Sequence, residues 1–335
     1  MLRSRLQEMS RKLIVQAMAA SDPAPETLAR PWQSAVVLAL GAVHADPTLL
    51  PGYCHKLLEE IPTSYNPDSI ILPLHGGMLM RVYSLAKSKK ALLPFLHEAY
   101  ERLLAYHRNL YETCDPLEAF LIANSHPRQL GWPYSELWQS QPDQAGRQRI
   151  DPVYNTLLIW SNEALIKLGH LLKQDLTELI QWHELAIYAM NECLWNTESG
   201  LYRPYDLHRA AQTPLTYLGG LLPMLGEIPT QEQAERLLVY LETGPWRDET
   251  FQAAVVPGAE SPTGFTAIDL FSNWMLYQGL LRYDMFESAA RIKKDTLALA
   301  ADQGIYECYH PISGEGLRGY CSPFAAALLS DMLLR

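Results

Sequence analysis

Apolar residues recur at spacings of three and four along nearly the whole chain. Leu2, Leu6, Met9 and Leu13 open the pattern. Leu157, Leu158, Ala164, Leu165, Leu168 and Leu172 repeat it, with Glu163 and Lys167 off that face. This is the 3.6-residue period of an amphipathic helix. The same reading gives helices over 33–44, 49–60, 75–87, 90–110, 175–195, 230–242, 268–282, 284–301 and 322–334. Period-two alternation with β-branched residues is scarce, so few strands are expected. Connectors rich in Pro, Gly, Ser and Asn fall at 20–27, 62–70, 125–151, 196–214, 243–266 and 302–322.

The helices pair, with short turns alternating with long loops: Ser88-Lys89-Lys90 is short, 111–151 long. That alternation suits a closed ring of helix pairs, an (α/α)6 toroid, in which long loops gather on one rim and build the site. No sequence period of 34–47 residues marks an open solenoid. No composition shift marks a boundary, so 1–335 reads as a single domain, with 1–28 its N-terminal helix and connector.

Of 335 residues, 48% are hydrophobic, enough for a large core, and the net charge is -10. An acidic balance argues against nucleic acid or an anionic membrane as partner. Arg5, Glu8, Arg11 and Lys12 interrupt the first apolar stretch, which therefore reads as an amphipathic helix rather than a secretory leader. No apolar run is long enough to span a bilayer. The five cysteines (Cys54, Cys114, Cys193, Cys308, Cys321) form no CxxC pair, which suits a reducing, cytoplasmic setting. The histidines do not cluster with carboxylates at ligand spacing, so neither a metal nor a cofactor is expected.

Two long loops concentrate chemistry. Residues 126–138 (HPRQLGWPYSELW) hold Trp132, Tyr134, Glu136 and Trp138. Aromatic faces stack on the C–H faces of sugars and carboxylates bind hydroxyls, so the mixture fits a carbohydrate cleft; packing against helix ends fits it equally well. Residues 302–316 (DQGIYECYHPISGEG) set Glu307 between Tyr306 and Tyr309. Glu307 is a candidate general base, although composition alone also fits an exposed loop glutamate. Neither a phosphate-binding glycine loop nor a nucleophile elbow is present.

The order of further landmarks is specific. Asp151-Pro152-Val153-Tyr154-Asn155 is followed by Asn162-Glu163-Ala164-Leu165, then Leu194-Trp195…Gly200-Leu201-Tyr202, Gly219-Gly220-Leu221-Leu222-Pro223, Asn273-Trp274-Met275-Leu276 and Glu307-Cys308-Tyr309-His310-Pro311…Gly314-Glu315-Gly316. Over roughly 29–334 the chain resembles the inverting (α/α)6-toroid glycoside hydrolases of the mannosylglycerate hydrolase and processing α-glucosidase type. The resemblance implies that Glu307 is the general base and that the partner is a small carbohydrate or glycoside.

Three substrate motifs of that family are altered. Its early W-D-W-D motif is replaced by Pro31-Trp32-Gln33-Ser34. Alignment of His126-Pro127, Gly131, Ser135 and Trp138 puts Pro133 where the family has its general-acid Asp. Its sugar-binding W-R-G-P segment becomes Gly264-Phe265-Thr266-Ala267. Inverting hydrolysis needs two carboxyls about 6.5–9.5 Å apart, one protonated and one ionised. Glu136, three residues past Pro133, is the best substitute acid; Asp143 and Asp269 are weaker. Trp32, Trp132, Tyr134, Trp138, Trp274, Tyr309 and Asp269 are the expected substrate-binding residues. Three readings stay open: a divergent hydrolase of an α-glucoside or α-mannoside, a catalytically inactive toroid that binds sugar or a protein partner, or another α-toroid activity.

Overall fold

The computed structural model describes residues 2–19, 35–66, 71–125, 148–214, 218–243, 267–311, 313–317 and 321–333. The helices are α1 (Leu2–Ala19), α2 (Ala35–Ala45), α3 (Leu50–Glu60), α4 (His75–Leu85), α5 (Lys89–Cys114), α6 (Pro152–Leu172), α7 (Thr177–Ala189), α8 (Gln231–Thr243), α9 (Leu270–Arg282), α10 (Phe286–Gln303) and α11 (Pro323–Leu333).

Six elements form an inner ring. Helix α2 packs on α4 and α4 on α6. Helix α6 packs on a 3-10 turn, Leu222–Gly226, which packs on α9. Helix α9 meets α11, and α11 closes back onto α2. The outer layer is α1, α3, α5, α7, α8 and α10. The chain is therefore the all-α (α/α)6 toroid that its periodicity implies.

Sequence separates the layers. In α2 every residue from Val36 to Val43 is buried, and in α11 every residue from Ala325 to Leu333. Such helices are surrounded by protein on all sides. Outer helix α8 buries only Ala234, Leu237 and Leu241, a single stripe. The seam between α2 and α11 is very tight. A Cβ added at Gly41 would lie 2.7 Å from the Cβ of Ala327, so a glycine lets the first and last inner helices meet.

All inner elements point the same way. Their C-terminal ends join the outer layer through short turns at 46–49, 86–88, 173–176, 227–230 and 283–285. Their N-terminal ends receive the long connectors 20–34, 61–74, 115–151, 190–221, 244–269 and 304–322. The long-loop rim therefore coincides with the positive ends of the inner helices. Small antiparallel pairings brace it: β1 (Ala123–Asn124), β2 (Arg149–Ile150), β5 (Tyr205–Asp206) and β6 (Ala211–Gln212) form one sheet in that order. β3 (Trp195–Asn196) pairs with β4 (Leu201–Tyr202), and β7 (Ile268–Asp269) with β8 (Cys308–Tyr309).

Candidate active site

Glu307 lies on the long-loop rim, tied to the N-terminal ends of two neighbouring inner helices. Its backbone carbonyl accepts from the N–H of Leu270, the first residue of α9, at 2.9 Å. Its carboxylate Oε1 accepts from the hydroxyl of Ser322, the residue before α11, at 2.8 Å.

The loop around Glu307 is rigidly pinned. Tyr309 is buried, and its hydroxyl donates to Gly304 O at 2.8 Å and accepts from Tyr306 N at 3.0 Å. His310 N donates to Glu315 O at 2.7 Å, and Gly314 N to His310 O at 2.9 Å. Gly314 has φ of 72°, where an L side chain is strained. At Gly316 any Cβ would overlap the Tyr306 ring. The glycines of this loop thus have steric causes.

The loop that carries the candidate acid springs from the same rim. Its stem is the β1–β2 pairing, Ala123 opposite Ile150 and Asn124 opposite Arg149. Asp151 caps α6, accepting from Val153 N at 2.8 Å and Tyr154 N at 3.1 Å, with Pro152 at the first helical position. Asn155 clamps the stem: Oδ1 accepts from Ile122 N at 2.7 Å and Nδ2 donates to Ile122 O at 3.0 Å. Arg149 and Asp206 lie 3.7 Å apart in the buried sheet. Trp32, Trp132, Pro133, Tyr134, Glu136, Trp138 and Asp143 lie outside the described residues.

The remaining expected residues are placed as follows. Asp269 is buried and caps α9, its Oδ2 accepting from Ser272 N at 2.9 Å and Ser272 Oγ at 2.7 Å. It adjoins Glu307 through β7 and β8. Trp274 is fully buried, stacked on Phe271 and edge-on to Trp160 at 6.0 Å between ring centres. Its Nε1–H donates to Asp331 Oδ2 at 3.0 Å, inside the ring. Asp269 and Tyr309 therefore stand beside Glu307 as cap and loop clamp, while Trp274 packs within the barrel.

A cavity of about 280 Å³ opens elsewhere, lined by Arg81, Trp160, Glu163, Gln278 and Arg282 among others. Those residues come from the middle and C-terminal halves of the inner helices, toward the short-turn rim. It is not the Glu307 site. Among the described residues no cluster of His, Cys, Asp and Glu is arranged to hold a metal, and no helix is long and apolar enough to cross a membrane.

Residues 32–257 match the model of the mannosylglycerate hydrolase MGH1-like glycoside hydrolase domain. The chain belongs to that family. Among curated relatives, the mannosylglycerate hydrolase of Thermus thermophilus is 25% identical, covering 68% of each chain. That of Rubrobacter radiotolerans is 21% identical over 82% of this chain and 76% of the other. Mannosylglycerate hydrolase MGH1 of Selaginella moellendorffii is 25% identical, and the chain spans 65% of that protein's length. The crystal structure of the GH63 mannosylglycerate hydrolase of Thermus thermophilus in complex with glucose superposes with a TM-score of 0.82, at 21% identity, covering 98% of this chain and 99% of that one.

In this member of the glycoside hydrolase family, several residues of the resembling motifs serve the scaffold. Asn162 is buried; Oδ1 meets His107 Nδ1 at 2.7 Å and Nδ2 donates to Tyr111 Oη at 2.8 Å. Glu163 accepts two guanidinium nitrogens of Arg282 at 2.7–2.8 Å. Gly220 abuts the Tyr202 carbonyl with no room for a side chain. Sequence reasoning missed Ser322, although Ser before Pro is the signature of a helix N-terminus. It also missed Glu60, whose carboxylate accepts from Ala35 N at 2.7 Å and Val36 N at 3.3 Å, capping α2 from a distant stretch of chain. No local pattern announces that pairing.

Proposed function

We propose that this member of the glycoside hydrolase family hydrolyses a small α-mannoside or α-glucoside with inversion. Glu307 is the general base in this reading. The observation that carries it is the placement of Glu307 at the long-loop rim, its backbone carbonyl bonded to the first residue of α9 and its carboxylate held by Ser322 before α11. An ionised, fixed carboxylate accepts a proton from a water as that water attacks the anomeric carbon. The glycosidic oxygen leaves with a proton from the partner acid, and Glu136 takes that role. The names of the relatives suggest a sugar linked to glycerate as the first substrate to try.

A second reading has its own support: Pro133 stands where the family carries its acid, and proline has no proton to give. In that reading the toroid binds a sugar without cleaving it.

The test incubates the protein with α-mannosylglycerate, α-glucosylglycerate, glucosylglycerol and α-linked disaccharides. Release of free sugar that Glu307→Gln reduces by about 10²-fold or more supports hydrolysis, since a positioned base contributes about that much. A ligand-dependent rise in Tm with no release supports the binding module, because ligand stabilises the fold by mass action. Turnover that survives Glu307→Gln refutes the assigned base.

A further inference from the structure

We infer that Ser322 is a positioning residue for Glu307, coupling the N-terminus of the last inner helix to the base; the inference rests on the hydrolytic reading above. Ser322 is 2% exposed and directly precedes Pro323, the first residue of α11. Its four polar links all stay inside the site. Its N–H donates to Ile305 O at 2.8 Å, drawing together the two ends of the connector that carries Glu307. Its carbonyl accepts from Ala326 N at 3.0 Å, the first helical hydrogen bond. Its Oγ accepts from Ala325 N at 3.3 Å. The same Oγ donates to Glu307 Oε1 at 2.8 Å.

A hydroxyl offers one proton and two acceptor sites. Capping the helix uses an acceptor site and leaves the proton for a second partner. A general base works as the carboxylate, which accepts only, so the proton of Ser322 belongs to this bond. The serine therefore does two separable things. It satisfies an orphan N–H of α11, and it fixes one oxygen of Glu307 and thereby the plane of the carboxylate. A base that is free to rotate spends part of its time unable to reach the attacking water, and angstrom-scale misplacement costs up to about a hundredfold in rate.

Three substitutions separate the duties. Glycine is nearly as good an N-cap as serine, so Ser322→Gly keeps the helix end and removes only the hydroxyl. Ser322→Ala removes both. Ser322→Thr keeps the hydroxyl. For hydrolysis, Ser322→Gly and Ser322→Ala are expected to lower kcat about ten- to hundredfold with KM within twofold, and Ser322→Thr to recover most of the loss. If Ser322→Gly keeps wild-type kcat while Ser322→Ala loses it in step with Tm, the residue is a cap only and the inference falls.

A readout without turnover separates this inference from the hydrolytic reading. In protein carrying carboxyl-labelled glutamate, the infrared difference between wild type and Glu307→Gln isolates the Glu307 carboxylate stretch. Loss of a hydrogen-bond donor should shift that band in Ser322→Gly and leave it in place in Ser322→Thr. An unshifted band in Ser322→Gly overturns the inference whatever the protein hydrolyses. A shifted band with no cleavage of any glycoside upholds the grip of Ser322 on Glu307 and sinks the hydrolytic reading instead.

Discussion

Arg81 holds Asp331 through Nε, 3.0 Å from both carboxylate oxygens, and Nη2, 2.6 Å from Oδ1, in the middle of the helical ring. Asp331 has no solvent exposure. His44 Nε2 lies 3.2 Å from Oδ1, and Trp274 Nε1 and Gln278 Nε2 donate to Oδ2 at 3.0 and 2.9 Å. One carboxylate on α11 thus joins α2, α4 and α9. Burial pushes its pKa up. The hydrogen bond from His44, the charge and hydrogen bonds of Arg81 and the bond from Trp274 outweigh burial and hold it below the usual carboxylate range.

Removing either partner strands a buried charge, which costs about 3–5 kcal/mol. Asp331→Ala and Arg81→Ala should each lower stability by that amount in urea unfolding, and the double variant should lose less than the sum. Because the folded pKa is depressed, the Asp331 contribution is complete above its unfolded value, about 3.9. It is lost as pH falls below that value toward the folded pKa. Asp331→Asn should flatten stability against pH in that acidic window.

His107 also costs stability as pH falls, but in a higher window. It is wholly buried between Asn162 and Ser161, and its Nε2 lies 3.3 Å from Ser161 Oγ. Burial lowers its pKa to about 4, partly opposed by the hydrogen bond with Asn162. The unfolded chain therefore binds a proton from about pH 6.5 downward while the native protein does not. Stability should fall as pH drops from about 6.5 to about 4 and level off below. His107→Gln should remove that slope, as read from unfolding midpoints across the range.

The Gly316–Tyr306 pair predicts a loop-specific defect. A methyl at Gly316 overlaps the Tyr306 ring, so Gly316→Ala must push aside either that ring or the Gly316 backbone bridged to Tyr309, both beside Glu307. Global stability rests on the ring of inner helices, far larger than this loop. The expected result is a Tm within a few degrees of wild type and a loss of glycoside hydrolysis well beyond what that shift explains. Equal losses of both would place Gly316 in the folding core instead.

Legibility followed element length. Helices of eleven residues or more give several turns of period, and each one expected from the pattern is present. The inner ring's fourth member was not recognisable as such, because Gly219, Gly220, Pro223 and Gly226 interrupt the period and leave a 3-10 turn. The rim strands have two residues apiece, too few to show alternation. Glu307 became a candidate base through the resemblance of its Glu307-Cys308-Tyr309-His310-Pro311…Gly314-Glu315-Gly316 stretch to the family's loop; its composition alone equally fits an exposed loop glutamate. Trp274, Tyr309 and Asp269 show the limit of composition. An aromatic ring looks the same whether it stacks on a sugar or fills a core, and an aspartate the same whether it binds a hydroxyl or caps a helix.

The candidate acid can be tested against the base by the choice of leaving group. A general acid matters in proportion to how badly the departing oxygen needs its proton. An alcohol such as glycerate needs it fully, whereas fluoride departs from a glycosyl fluoride with little help. Glu136→Gln should therefore lose about 10²-fold or more on a glycosylglycerate and only a small factor on the α-glycosyl fluoride of the same sugar. Glu307→Gln should lose activity on both, since water must be activated in each case. If Glu136→Gln cleaves both substrates at wild-type rates, the proton comes from another group; Asp143 and Asp269 are then next to be replaced by Asn.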